Sequence, residues 1–111
     1  MEQATTENFD DLVSSGVTLV DVWGPSCAPC LAMMPDVERL AAEKSADMQV
    51  IKLEAPTARR LCMRLKVMGL PAFLLFHEGE EVARLDGADV NADGLRSWVD
   101  EQLAGLASQR G

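Results

Sequence analysis

A chain of 111 residues has room for one domain, spanning residues 1–111, and at that size it buries well over half of the surface its unfolded form exposes. Its composition, 48% apolar and 25% charged, is that of an ordinary globular protein and argues against a disordered or low-complexity chain. A formal net charge of −8, spread from Asp10-Asp11 to Asp100-Glu101, disfavours a phosphate backbone, so no nucleic-acid partner is expected.

Met1 to Asp11 is polar and acidic, without the basic start and apolar centre of a secretory signal, and cytoplasmic residence is the expectation. The longest apolar runs, Val17 to Val22 and Gly69 to Phe76, fall far short of the roughly 20 residues that cross a bilayer, so no membrane partner is expected. Three cysteines cannot build a framework of disulfides, and a reducing cytosol would not maintain one. Their use is therefore sought in chemistry.

In chain order, Val17 to Trp23 is a β-rich apolar run between Gly16 and Gly24-Pro25, which predicts a central strand buried on both faces. Its one charge, Asp21, needs a reason, because an unpaired buried carboxylate is costly and burial raises its pKa unless a cation answers it. From about Pro29 to Ala46, Met33, Val37, Leu40 and Ala41 recur at helical spacing, with a kink expected at Pro35. Met48 to Leu53 reads as a second strand, and Thr57 to Leu65 as a helix after the Ala55-Pro56 break. Arg59, Arg60 and Arg64 read first as the solvated face of that helix, with docking of an acidic partner as the alternative. Cys62 beside Leu61 and Leu65 reads as a buried thiol.

Ala72 to His77 and Glu81 to Asp86, separated by Glu78-Gly79-Glu80, have the spacing of a hairpin, with His77 solvent-exposed at its end. Asn91 is the expected N-cap of a last helix whose inner face carries Leu95, Trp98, Val99, Leu103 and Leu106. Helices between early strands, followed by a late hairpin, imply an α/β fold in which helices cover a central sheet.

Cys27-Ala28-Pro29-Cys30 falls where the buried strand gives way to the long helix. Unpaired backbone N–H groups and the positive end of the dipole at a helix N-terminus stabilise a thiolate, lowering its pKa from the roughly 8.5 of a free thiol. Cys27 is thus the natural nucleophile. Cys30, one turn deeper, can attack a mixed disulfide formed at Cys27 and release the reduced substrate. Pro29 fits the first turn and stiffens the loop.

From Phe9 to about Leu103 the sequence resembles the thioredoxin family. The resemblance is carried by Leu-Val-Asp-Val-Trp at 19 to 23, C-x-P-C at 27 to 30 with Pro35 five residues beyond, and Val50-Ile51-Lys52-Leu53. Gly69-Leu70-Pro71, the Phe76 to Glu80 turn and Gly87-Ala88 complete it. It implies a thioredoxin-like fold, a central mixed β-sheet flanked by helices on both faces, and a protein-disulfide reductase that needs no cofactor beyond its own redox-active disulfide. Disulfide-containing protein substrates, a thioredoxin reductase-type electron donor and a monomeric state are the implied partners and assembly.

By that resemblance Pro71 is the family's cis-proline, presenting the backbone of Leu70 to a substrate strand, with Gly69, Trp23, Pro29, Gly87 and Ala88 around the same surface. Asp21 resembles the buried carboxylate that helps move the proton of the second cysteine, and Lys52 the cation that answers it. Several positions depart from the pattern. Ser26 stands where the family usually has Trp, Ala28-Pro29 where it has Gly-Pro, and Asp86 where an apolar residue is usual. A carboxylate near Cys27 would oppose thiolate formation. The polar Met1 to Thr5 segment makes the family's first edge strand frayed or absent by expectation.

Two other readings stand beside the reductase. One is a zinc site in which Cys62 or His77 joins the cysteine pair, although a second close-spaced pair is missing. The other is a non-catalytic module that keeps the surface for docking. A glutaredoxin-like role is disfavoured because Asp21, Lys52 and Gly69-Leu70-Pro71 follow the thioredoxin pattern.

Overall fold

The computed structural model describes residues 1–109. Their elements are β1 (Glu2–Ala4), α1 (Phe9–Leu12), β2 (Val17–Trp23), α2 (Ala28–Glu43), β3 (Gln49–Glu54), α3 (Arg59–Arg64), β4 (Ala72–His77), β5 (Glu80–Asp86) and α4 (Ala92–Gln109), with a 3-10 turn at Ala55–Thr57 before α3. The sheet order is β1-β3-β2-β4-β5. β3 runs parallel to both β1 and β2, β4 antiparallel to β2, and β5 antiparallel to β4.

β2 is central, and every residue from Val17 to Val22 is buried, as expected of a strand covered on both sides. Alternation along it feeds two cores. Val20 and Val22 join Phe9, Ile51, Leu61 and Phe76 beneath α1 and α3. Val17 and Leu19 join Met33, Val37, Phe73 and Val99 beneath α2 and α4. Each fully buried side chain of this kind contributes roughly 1.5–3 kcal/mol, so the two layers clamp the sheet that carries the site. Asp21 shares its face with Leu19 and pairs in register with Phe73, and therefore points toward the α2 layer.

The edge strand expected to be frayed or absent is present. Glu2, Gln3 and Ala4 pair with Ile51, Lys52 and Leu53, and Ala4 alone of the three is buried. A strand with one side unpaired needs only one inward residue, and a short polar edge also discourages pairing with other chains. α1 had no periodic signal because it spans four residues. Its approach is set by Thr5 and Asn8, which exchange hydrogen bonds in the manner of a capping box, Thr5 N to Asn8 Oδ1 at 2.7 Å and Asn8 N to Thr5 Oγ1 at 3.2 Å.

α2 continues through Pro35, whose ring is exposed. The hairpin closes on a two-residue turn, with His77 opposite Glu80 and both Glu78 (φ 51°) and Gly79 (φ 87°) left-handed, as the tightest hairpin turns require. His77 is half-buried rather than solvent-exposed, because it pairs with Val17 on one side and Glu80 on the other. Asn91 caps α4 through Oδ1, which accepts from Gly94 N at 2.8 Å. Among the described residues no helix is long and apolar enough to cross a membrane.

Candidate active site

The site is built where β2 ends and α2 begins. Cys27 is the N-cap of α2, in extended conformation, and its Sγ accepts a hydrogen bond from Cys30 N at 3.2 Å. Sulfur takes the place that a Ser or Asp oxygen usually fills, so one of the helix's orphan N–H groups is aimed at the Cys27 side chain. Pro29 lies in the first turn, where its missing N–H costs nothing. The backbone of Cys27 is held from both sides, its N–H donating to Gly24 O and its carbonyl accepting from Leu31 N, each at 3.1 Å.

Cys27 and Cys30 are joined as a disulfide, with Cα atoms 5.3 Å apart. Their surroundings differ. Cys27 is half-buried, whereas Cys30 is 2% exposed. An incoming group therefore meets Cys27 first.

Asp21 is 2% exposed, and burial pushes its carboxyl up to about 7, against the opposing pull of Lys52. Lys52 is its register partner in β3, and Lys52 Nζ lies 5.8 Å from the centroid of the Trp23 ring. The structure thus brings Asp21, Lys52 and Trp23 into one group at the carboxyl end of β2, where parallel strands commonly place their chemistry. The Trp23 indole Nε1 is buried without a hydrogen-bond partner among the described residues.

Leu70-Pro71 is a cis peptide. Pro71 is buried, and its carbonyl accepts from Gly87 N at 3.2 Å. The strand ladder begins only at Ala72, which leaves Leu70 ahead of it. Gly69 and Ala88 are exposed. Asp86 sits opposite Ala72 in register and lines a hollow with Asp89 and Val90, in which Cys27 takes no part.

Two positioning residues escaped the sequence reading. Gly24 is buried, and a Cβ on it would sit 3.3 Å from Leu70 Cδ1 and 3.8 Å from Pro56 Cδ. The loop leading to Cys27 thus packs directly on Leu70. Arg84, on β5, donates to Leu65 O at 2.6 Å and Lys66 O at 2.9 Å while Glu81 holds its guanidinium at 2.7 and 2.8 Å. It satisfies the two carbonyls just past the end of α3, where Lys66 turns left-handed at φ 58° and starts the segment that ends at Leu70. Gly24 read only as a strand boundary, and Arg84 carried no signal because its carbonyl partners lie 18 and 19 residues away.

The zinc alternative does not fit this arrangement. Cys62 is buried in the core beneath α3, whereas α2 lies over the opposite face of the sheet. Among the described residues no three of His, Cys, Asp and Glu gather as metal ligands.

Comparison with known proteins agrees with the geometry. A family model described as Thioredoxin matches residues 1–101. A thioredoxin of Peptoclostridium acidaminophilum is 39% identical over 88 residues, covering 79% of this chain and 80% of its own length. One from Acetoanaerobium sticklandii is 32% identical over 92 residues, covering 83% and 88%. One from Mycobacterium tuberculosis is 35% identical over 91 residues, covering 82% and 78%.

Proposed function

The chain belongs to the thioredoxin family and is a thiol–disulfide oxidoreductase, and from that premise we propose that its reduced Cys27/Cys30 pair donates two electrons to protein disulfides, Cys27 attacking and Cys30 resolving. The observation that carries this reading is the unequal burial of two sulfurs at one helix start, Cys27 half-buried and capping, Cys30 2% exposed.

In the first step the Cys27 thiolate attacks one sulfur of the substrate disulfide. A mixed disulfide forms, and the other substrate sulfur leaves as a thiolate that takes up a proton. In the second, Cys30 gives up its proton and attacks Cys27 Sγ. The Cys27–Cys30 disulfide closes and the remaining substrate sulfur leaves as a thiolate that takes up a proton from water, so the substrate is reduced by two electrons and the dithiol oxidised by two. In this reading Asp21, held near neutral pH as a proton acceptor by burial, receives the Cys30 proton, and Lys52 stabilises the carboxylate that results.

Substrate lies along Gly69, Leu70 and Pro71 as an added strand, bordered by Trp23, Pro29, Gly87 and Ala88. A thioredoxin reductase-type donor returns the electrons, and the cytoplasm, where thiols are kept reduced, is the compartment proposed. The test is turnover of a disulfide-bonded protein such as insulin with dithiothreitol as electron source. Wild type should turn over and Cys27→Ser should not. Undiminished turnover in Cys27→Ser refutes the assignment.

A further inference from the structure

Between Glu54 and Glu78 the sequence contains no carboxylate, although the chain holds 18, and the same stretch carries four of its 10 lysines and arginines, Arg59, Arg60, Arg64 and Lys66. A strongly acidic protein thus turns one cationic segment outward. Arg64 pairs with Asp10 at 3.0 Å, but among the described residues Arg59 and Arg60 form no ion pair.

The same segment opens an apolar groove of about 460 Å³, walled by Pro56, Cys62, Met63, Val67 and Leu70, with Arg59 in its lining. Met63 and Met68 are 76% and 93% exposed, the two most exposed large apolar side chains of the described residues. Methionine adapts its shape to a partner better than branched side chains do. Leu70 belongs to this groove and also precedes the strand ladder beside Pro71, so the groove continues the surface proposed for the substrate strand.

We propose that this groove receives the flank of a protein disulfide substrate, an extended segment with one apolar side chain for the pocket and an acidic residue for Arg59. The inference rests on the reading of Leu70 as the residue that receives the substrate strand. A single surface ion pair is weak, but a cation in the lining of a desolvating groove, within a segment that carries three more, steers encounter and fixes register. The negative charge elsewhere on the chain repels the same acidic segment and so restricts it to this approach.

The experiment compares two synthetic peptides, each with one internal disulfide next to a leucine, differing only in a Glu-Glu or Lys-Lys flank. The full chain reduces them with dithiothreitol as electron source. At low salt the KM for the acidic peptide is expected to be at least about fivefold lower, and the gap to close in about 0.5 M NaCl, where charges beyond a few ångströms are screened. Arg59→Glu should erase or reverse the preference, while Arg39→Glu on α2 should keep it. Equal KM values for wild type at low salt, or an unchanged preference in Arg59→Glu, overturn the inference alone. Turnover of neither peptide overturns the reading of the site, and the inference with it.

Discussion

Lys52 stands opposite Asp21 in the neighbouring parallel strand, and its ammonium lies 5.8 Å from the centre of the Trp23 ring. The cation that answers the buried carboxyl is therefore shared with an aromatic face, and burial wins, pushing Asp21 up to about 7.

The stability consequence has a definite sign. Folding raises the Asp21 pKa from the ordinary 3.8 to about 7, so between those values the folded state holds a proton that the unfolded state has lost. Its contribution is fully present below about pH 4 and is lost as pH rises through 7. Asp21→Asn should accordingly be more stable than wild type above pH 7, by at most about 4 kcal/mol, with the gap shrinking toward pH 4. Urea unfolding of both proteins across that range measures it, and a gap that widens on acidification contradicts the account.

The same substitution should slow catalysis while it stabilises the fold. With no carboxylate to take the Cys30 proton, resolution of the mixed disulfide at pH 7 is expected to fall about tenfold or more, and the limb of the pH–rate profile near 7 to disappear. A profile that keeps this limb in Asp21→Asn assigns it to another group.

Lys52→Met removes the charge that lowers the Asp21 pKa, so the same limb should move to higher pH, by about one unit. Stopped-flow measurement of substrate release over the alkaline range reads the shift. A limb that stays in place would separate Lys52 from the proton path.

Arg84→Met deprives Leu65 O and Lys66 O of their donor and should cost about 1–2 kcal/mol, since charge-assisted bonds are the stronger ones and this one is partly solvent-screened. Amide exchange should quicken at Val67 to Leu70 more than in β2. Uniform quickening would mean that the clamp serves the whole fold and not this segment.

Cys62 is buried among Leu61, Phe9 and Ile51, and burial pushes its thiol up. Iodoacetamide at neutral pH should therefore alkylate Cys27 in the reduced native protein and reach Cys62 only on unfolding, as peptide mass mapping can follow. Native labelling of Cys62 at a rate matching Cys27 contradicts this.

The parts of the fold that announce themselves locally were legible in the sequence. The run to Trp23, the Cys27 helix start, the Glu78-Gly79 turn and the Asn91 cap each depend on neighbours within a few residues. β1 and α1 were not, because a three-residue polar edge and a four-residue helix draw their order from partners such as Ile51 and Leu53, far along the chain. The site divides in the same way. Cys27 and Cys30 stand out by spacing, and the Asp21–Lys52 pairing entered through family resemblance. The Arg84 clamp and the close approach of Gly24 to Leu70 exist only once the chain has folded.

The central claim is that Cys27 attacks and Cys30 resolves, and a trapped intermediate tests it most directly. Cys30→Ser, reduced and mixed with a disulfide-bonded protein, should accumulate a covalent adduct whose bond to substrate maps by mass spectrometry to Cys27, while Cys27→Ser yields none. An adduct carried by Cys30 in the Cys27→Ser protein, with none at Cys27 in the other, would reverse the two roles.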